Sequence, residues 1–234
     1  MTAEEKSEQD LREEICEVSR RLDRKGLVTA MDGNVSAQLG EDRFLFTPTK
    51  CSLARVEPDE LVVADRTGEP VEGDRRPSSE YRLHVACYDR RPDIGAVIHA
   101  HPPNCVAASV AGVNLEKPVL PEVVFILGAI PTAPYGTPAS EQSCAVMEEY
   151  AETYDAIVLD RHGAVTLDED LEGAYMKMEK AENAAEVHMK AQQLGIVQVL
   201  PRDEVEKLKK LGQKYGLNPD AVPDEAAYQG RGSK

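Results

Sequence analysis

The sequence lacks paired cysteines and long hydrophobic runs. Its cysteines are odd in number and scattered, no Cys-x-x-Cys occurs, and they stand at Cys16, Cys51, Cys87, Cys105 and Cys144. This pattern argues against a disulfide framework and against a thiolate zinc cluster, and it is typical of a reducing compartment. No window approaches the roughly 18 apolar residues that a membrane-spanning helix needs. We therefore expect no membrane partner.

Basic charge is also scarce. The chain has 27 Lys and Arg against 42 Asp and Glu, so its formal net charge is −15. Nucleic-acid binding needs a basic surface, so we expect none, and an anionic substrate would need a local positive site. The first residues, MTAEEKSEQD, are polar and acidic, unlike a secretory signal or a transit peptide. These features predict a cytoplasmic protein.

The length and composition predict one domain. The chain has 234 residues, of which 41% are hydrophobic and 29% charged, enough for a sizeable core. It contains no internal repeat, low-complexity block or long linker. We predict a flexible N-terminus over residues 1–8, a single domain over 9–222 and a flexible C-terminal tail over 223–234.

Apolar spacing predicts alternating helices and strands. Leu11, Ile15, Val18 and Leu22 recur at helical spacing and predict a helix over about residues 9–25. Further helices are predicted over about 78–90, 140–154, 168–194 and 203–215, and strands over 44–46, 61–64, 96–101 and 156–159. This alternation predicts an α/β or α+β domain with a sheet covered by helices.

Two histidines share one face of a predicted strand. His99 and His101 are two residues apart, so both imidazoles leave the strand on the same side. His162 follows the strand 156–159 and precedes Gly163, so it is the candidate for a third ligand. Three histidines with an open fourth position are typical of catalytic zinc. The alternative is a partly buried strand whose histidines are satisfied by hydrogen bonds.

The other two histidines have plainer interpretations. His84 falls one helical turn after Glu80, where it packs or supports a ligand. His188 shares a helical stripe with small residues and is predicted to lie in the core. Glu80 follows two serines at a helix start, where a carboxylate stabilises the helix dipole. Beside a metal it could instead be a ligand and a general base.

Three short segments offer groups that bind anions. Pro77-Ser78-Ser79 at a helix start presents hydroxyls and free backbone N–H groups. Asp32-Gly33-Asn34-Val35-Ser36 is interpreted as a turn with an exposed amide, and Thr47-Pro48-Thr49-Lys50 adds a hydroxyl and a cation. Each segment alone also fits a helix cap or a turn. Their combination with the histidines predicts a phosphorylated substrate.

These motifs resemble those of a known family. In the same order, the class II aldolases of the aldolase/adducin family carry Gly33-Asn34-Val35-Ser36, Thr47-Pro48-Thr49, Pro77-Ser78-Ser79-Glu80, His99-Ala100-His101, Ala133-Pro134-Tyr135 and His162-Gly163. The resemblance covers about residues 11–217, and the L-fuculose-1-phosphate aldolase branch is the most similar one recognised.

The resemblance implies a fold, an assembly and a metal site. The fold is a central, mainly antiparallel sheet covered by helices in three layers. The assembly is a homotetramer with active sites between subunits. His99, His101 and His162 would bind one Zn²⁺ per chain. Glu80 would be a fourth ligand that becomes the acid/base when substrate displaces it.

The resemblance also implies a substrate site. Asn34, Thr49, Ser78 and Ser79 match phosphate-binding positions, and Lys50 adds a cation where that branch usually has glycine. Tyr215 resembles a C-terminal tyrosine that reaches the active site near a subunit boundary. The implied reaction is reversible cleavage of a ketose 1-phosphate into dihydroxyacetone phosphate and an aldehyde.

Alternatives on the same scaffold stay open. Glu122 stands where the fuculose branch carries a catalytic tyrosine, and a carboxylate replaces a phenol as a proton donor only with a strongly raised pKa. A ribulose-5-phosphate 4-epimerase tends to have aspartate at the position of Glu80. A methylthioribulose-1-phosphate dehydratase and an aldolase for deoxypentulose phosphates are further candidates. A non-enzymatic module like the adducin head would have lost the histidines.

Overall fold

The fold is described by a computed structural model that covers residues 6–215 and 217. The helices are α1 (Glu8–Arg24), α2 (Tyr81–Arg90), α3 (Pro103–Val110), α4 (Pro121–Ile126), α5 (Glu141–Ala151), α6 (Leu171–Leu194) and α7 (Arg202–Lys214). The strands are β1 (Asn34–Gly40), β2 (Arg43–Phe46), β3 (Val62–Ala64), β4 (Ala96–Ala100), β5 (Thr132–Ala133), β6 (Ala156–Leu159) and β7 (Gly163–Asp168). Among these helices none is long and apolar enough to cross a membrane.

The strands form one sheet in the order β3-β2-β1-β4-β7-β6-β5. Every neighbouring pair is antiparallel except β5 and β6, which are parallel. The prediction of a central, mainly antiparallel sheet is therefore confirmed. Strand β4 lies at its centre, between β1 and β7, so its residues are covered on both edges.

Helices cover both faces of the sheet. Because side chains alternate along β4, Ala96 and Ile98 enter the core that packs against α1, α3 and α6. Val97 points the other way, into the core shared with α2 and α5. His99 follows the alternation of Val97 and so lies on the α2 face. This gives the three layers that the resemblance implied.

Three strands were not foreseen, namely β1, β7 and the short β5. Asp32-Gly33-Asn34-Val35-Ser36 was interpreted as a turn, but only Gly33 has a left-handed backbone, with φ +79°, and Asn34 already begins β1. Residues 163–168 form β7, although the sequence predicted no element for residues 163–167 and a helix from residue 168. The long helix therefore begins at Leu171, capped by the Asp170 side chain, rather than at residue 168.

Other boundaries moved by a few residues. Helix α1 begins at Glu8 with Ser7 as its N-terminal cap, so the expected flexible segment 1–8 ends in an ordered cap. Helix α2 begins at Tyr81, with Glu80 at the N-cap position, rather than at Ser78. Residues 1–5 and the predicted tail 223–234 lie outside the described residues.

Candidate metal centre

The sheet brings three histidines to one edge of the α2 face. His99 is on β4, directly opposite Asn34 of β1 and Val165 of β7. His101 lies just beyond the end of β4, and its backbone N–H donates to the Leu27 carbonyl at 2.9 Å. His162 lies in the turn between β6 and β7. Two segments distant in sequence therefore converge because β4 and β7 are paired.

The turn that carries His162 is tight. Leu159 and Gly163 are paired across it, and Arg161 takes a left-handed conformation with φ 58°. A Cβ atom at Gly163 would lie 2.3 Å from the Ala100 carbonyl oxygen and 2.9 Å from ring atoms of His99 and of His101. Glycine is therefore required here, since any side chain would displace the two imidazoles.

The ring nitrogens are spaced as ligands of one ion. The Nε2 atoms of His99 and His101 are 3.1 Å apart, and one nitrogen from each of the three histidines lies within 4.8 Å of the others. Glu80 completes the group, with Oε2 3.4 Å from His99 Nε2 and Oε1 3.4 Å from His162 Nε2. Two ligands bound at about 2.0 Å in a tetrahedral site lie about 3.3 Å apart, so these groups fit a zinc-sized ion.

The protonation of His99 also suits a metal. Its Nδ1 donates to the Ala164 carbonyl at 3.0 Å, which leaves the Nε2 lone pair facing the other ligands. Burial, with the neighbouring His162 and His101, holds the pKa of His99 well below its usual value. Burial also lowers the pKa of His162, against the opposing effect of Glu80. Neutral imidazole is the form that binds metals.

Glu80 does not act as a helix cap. It occupies the capping position of α2, but its side chain makes no capping hydrogen bond. Its Oε1 is buried and has no hydrogen-bond partner among the described residues, while Oε2 accepts from Asn34 Nδ2 at 3.0 Å. A buried carboxylate oxygen without a donor is costly, and a cation among the three histidines would satisfy it.

The candidate anion-binding groups line the same cavity. It has a volume of about 250 Å³. It is bordered by His101, His162 and Glu80 from the metal side and by the predicted phosphate residues Asn34, Thr49, Lys50, Ser78 and Ser79. All five predicted phosphate residues therefore face the metal ligands across one small space.

Backbone hydrogen bonds hold these segments in place, with Thr47 at the centre. The Thr47 hydroxyl accepts from Val35 N at 3.1 Å, and its carbonyl accepts from Ser78 N at 3.0 Å. Thr49 N donates to the Arg76 carbonyl at 3.1 Å. The segments 33–36, 47–49 and 77–80 are thus linked directly to one another.

The comparisons with known proteins agree with this geometry. Residues 13–189 match the family described as Class II Aldolase and Adducin N-terminal domain. The chain belongs to the class II aldolase/adducin family. This confirms the resemblance stated from the sequence.

Named relatives within the family differ in activity. The chain is 29% identical over 207 residues to a 5-deoxy-D-ribulose 1-phosphate aldolase of Bacillus thuringiensis serovar kurstaki, covering 88% of this chain and 96% of the relative. It is 33% identical over 186 residues to a 3-oxo-tetronate 4-phosphate decarboxylase of Escherichia coli K12, covering 78% and 87%. A solved L-fuculose 1-phosphate aldolase matches with a TM-score of 0.81 and 26% identity, covering 89% of this chain and 97% of that one.

Two residues that family resemblance singled out lie away from the cavity. Tyr215 follows α7, is 67% exposed, and packs edge-on against Phe125 with ring centroids 5.9 Å apart. Glu122 is in the first turn of α4 and is exposed. Neither residue borders the metal cavity of its own chain.

Sequence reasoning missed some groups around the site of this aldolase-family chain. Thr47 was quoted only as part of a motif, although its side chain and backbone join two segments. Asp32 was assigned to a turn, yet its Oδ2 lies 3.7 Å from His101 Nδ1. His84 was assigned a packing or supporting role, and its ring is hydrogen-bonded on both nitrogens. The pairing of β1 with β4 places Asp32 near His101, the pairing of β1 with β2 places Thr47, and the packing of α2 against β1 places His84. The sequence did not reveal these contacts.

Proposed function

We propose that this chain is a zinc-dependent class II aldolase that cleaves a ketose 1-phosphate reversibly to dihydroxyacetone phosphate and an aldehyde. The observation that carries the proposal is the convergence of His99, His101 and His162 with a buried Glu80 oxygen that has no hydrogen-bond partner among the described residues. His101, His162 and Glu80 border a small cavity, and His99 lies buried behind them. Membership of a family with sugar-phosphate enzymes supports it.

The chemistry is divided between a bound ion and the side chains. A divalent ion held by the three histidines would act as a Lewis acid that stabilises the negative charge left on the substrate carbonyl side after C–C cleavage. Glu80 carries the proton to and from the substrate carbon that bears this charge. Asn34 donates to Glu80 Oε2, which leaves Oε1 directed at the histidines and the cavity.

The opposite wall would bind the phosphate. Ser78 and Ser79 offer hydroxyls where the backbone enters α2, and Thr49 and Lys50 approach from the adjoining segment. Lys50 supplies a positive charge in a strongly acidic protein, where a dianion otherwise meets a repulsive field. Phosphate binding on this wall would hold the carbonyl end of the substrate towards the histidines.

Tyr215 would act on a neighbouring subunit. It is exposed at the end of α7 and lies outside the cavity of its own chain. We propose a homotetramer in which Tyr215 reaches the next subunit's cavity and exchanges a proton with the aldehyde oxygen. Light scattering would test the assembly, and Tyr215→Phe would slow cleavage without changing metal content.

A second candidate is decarboxylation of a phosphorylated 3-oxo acid. Loss of CO₂ forms no aldehyde oxygen and so needs no phenol there, which fits Glu122 in place of a tyrosine. A substrate of this kind carries a carboxylate and a phosphate, and a second cavity of about 540 Å³ adjoins the first at Lys50 and is lined by Arg55, Arg75 and Arg76. The 33% identical relative is named for this reaction.

The test combines metal analysis with two product assays. Purified protein, loaded with zinc, is given a panel of ketose 1-phosphates and 3-oxo-tetronate 4-phosphate. Both reactions release dihydroxyacetone phosphate, since removing CO₂ from the second substrate leaves that molecule, so aldehyde and CO₂ are measured separately. EDTA-sensitive aldehyde release with about one zinc per chain supports the aldolase.

Other outcomes would redirect the proposal. EDTA-sensitive release of CO₂ alone would replace the aldolase with the decarboxylase. Bound metal with neither product would favour the epimerase or dehydratase alternatives. A protein that binds no metal after reloading would contradict every one of these activities and favour a non-enzymatic, adducin-like interaction module.

A further inference from the structure

A buried chain of side-chain hydrogen bonds leads from Glu80 into the layer between the sheet and α2. Asn34 Nδ2 donates to Glu80 Oε2 at 3.0 Å, and Asn34 Oδ1 is hydrogen-bonded to His84 Nε2. His84 Nδ1 lies 2.7 Å from Ser36 Oγ, which lies 2.8 Å from the Tyr88 hydroxyl. The four residues behind Glu80 are all buried.

The direction of every hydrogen bond in this chain follows from its end. An ionised carboxylate only accepts, so Asn34 must present its amide nitrogen to Glu80 and its carbonyl oxygen to His84. His84 Nε2 must then carry a hydrogen, which leaves Nδ1 to accept from Ser36. The Ser36 hydroxyl in turn accepts from Tyr88. One arrangement satisfies all the groups, and every donor in it points towards Glu80.

We propose that His84 is a positioning residue that acts through Asn34 to fix the Glu80 carboxylate in front of the three histidines. Without His84 the Asn34 carbonyl oxygen loses its described side-chain donor, and the amide is held only at its nitrogen. A rotated amide would set that oxygen against a carboxylate oxygen and remove the only described hydrogen bond to Glu80 Oε2. The inference rests on the proposed function only in giving Glu80 a role beside the metal.

The neutral ring fits this role. Burial lowers the pKa of His84 to about 3, with a smaller contribution from His99, so the imidazole has one donor and one acceptor at neutral pH. A charged ring would have two donors and would break the bond from Ser36. The His84 ring also packs edge-on against Phe46, with centroids 6.2 Å apart. An apolar side chain could fill that space, so packing alone does not require histidine.

Substitutions at His84 separate positioning from packing. His84→Leu keeps an apolar side chain of similar size but removes both hydrogen bonds. His84→Gln keeps a donor near the position of Nε2. Packing would tolerate Leu at least as well as Gln, whereas positioning requires Gln. Cys87→Ala is the control, since Cys87 lies on the same helix, is fully buried and takes no part in the chain.

The decisive measurement is zinc affinity without substrate, by competition with a chromophoric chelator. We expect His84→Leu to weaken zinc binding about 10- to 100-fold, as is common when a residue supporting a metal ligand is removed. His84→Gln and Cys87→Ala should stay within a few-fold of the parent protein. With Co²⁺ in place of zinc, the visible absorption of His84→Leu should change and that of Cys87→Ala should not.

Each result decides between the inference and the proposed function. If the parent protein binds no zinc, the proposed function fails and the inference falls with it. If the parent binds zinc and His84→Leu matches it in affinity and Co²⁺ spectrum, only the inference is overturned. Equal losses in the Leu and Gln variants would assign His84 to packing. Should His84→Leu not fold, Ser36→Ala, which removes a single oxygen, must show a several-fold loss.

Discussion

Two buried polar clusters lie at opposite ends of β4 and β7 and differ in how their charges are satisfied. At the end near Ala96, the Asp155 carboxylate accepts from Arg91 at 2.9 Å and from Lys177 at 2.7 Å. Lys177 also contacts Asp168 at 2.8 Å and donates to the Leu167 carbonyl at 3.0 Å. We call these residues the ion-pair cluster. Each carboxylate there faces a cation.

In the candidate metal centre at the other end, the buried polar groups are not paired in this way. Three imidazoles converge there, and Glu80 Oε1 has no hydrogen-bond partner among the described residues. Both clusters are largely withdrawn from water, so burial alone does not explain the contrast. A buried group that lacks a partner costs stability, and proteins retain that cost mainly where it serves a function. The ion-pair cluster is therefore complete without a ligand, whereas the metal centre is not.

The largest expected effect is the loss of one histidine. His99→Ala removes the central donor, so zinc affinity should fall by more than the roughly hundredfold seen for supporting residues, and metal-dependent activity should disappear. The fold should remain, as measured by circular dichroism. His188→Ala, a buried histidine of α6, is the control and should bind zinc normally. If His99→Ala bound zinc as tightly as the parent protein, the histidines would not differ from the ion-pair cluster in needing a ligand.

Acidification should destabilise the metal centre before the ion-pair cluster. Burial depresses the pKa values of His84 and His99, so below about pH 6.5 the unfolded chain takes up protons that the folded chain does not. Stability of the metal-free protein is thus highest above pH 6.5 and should fall by about 2 kcal/mol per ring by pH 5. Urea unfolding at pH 7 and pH 5, in chelator, measures this.

A matched variant sharpens the pH prediction. In His84→Gln one of the titrating rings is absent, so the loss between pH 7 and pH 5 should be smaller by about 2 kcal/mol. Arg91 of the ion-pair cluster should stay charged in this range, because contacts with Asp93 and Asp155 raise its pKa. A stability that is flat with pH in both proteins would mean that the histidines are already charged in the folded state.

Breaking the ion-pair cluster should affect stability and leave the metal alone. Lys177→Met removes the cation between Asp155 and Asp168, so that Asp155 keeps only Arg91 and Asp168 loses its described cation. This should cost about 3 kcal/mol in urea unfolding. Lys190→Met breaks the exposed pair with Glu186 and should cost about 0.5 kcal/mol or less. Zinc affinity should be unchanged in both. A weaker zinc site in Lys177→Met would show that the two ends are coupled.

The smallest expected effect concerns Lys50. Its backbone is left-handed, with φ 57°, a conformation that costs a non-glycine residue energy. Lys50→Gly should raise stability by up to about 1 kcal/mol and raise the KM for a phosphorylated substrate at constant zinc content. Thermal unfolding and substrate titration measure the two changes. An unchanged KM would assign Lys50 no part in phosphate binding.

Local patterns predicted which histidines lie together. His99 and His101 could be recognised because the two-residue period of a strand places both side chains on one face. His162 was a candidate from its place after a strand, and the match over residues 13–189 confirms the family that the motifs resembled. The layered architecture followed from helices alternating with strands, most clearly at the periodic helix that begins at Glu8.

Long-range pairing could not be predicted in the same way. Asn34 begins a strand because β4 pairs with it, whereas its neighbours Asp32 and Gly33 are ordinary turn residues. The hydrogen-bonded chain through His84 depends on the packing of α2 against β1, which no local spacing encodes. Tyr215 also shows the limit, because only family resemblance singled it out and it lies outside the cavity of its own chain.

The tight turn carrying His162 matters for folding of the chain. His162 meets His99 and Glu80 only after the hairpin of β6 and β7 has paired with β4. If that pairing follows the rate-limiting step of folding, zinc should slow unfolding and leave the folding rate nearly unchanged. In stopped-flow measurements, zinc would then lower the unfolding rate and leave the folding rate nearly the same. The bound ion would thus slow the opening of the hairpin.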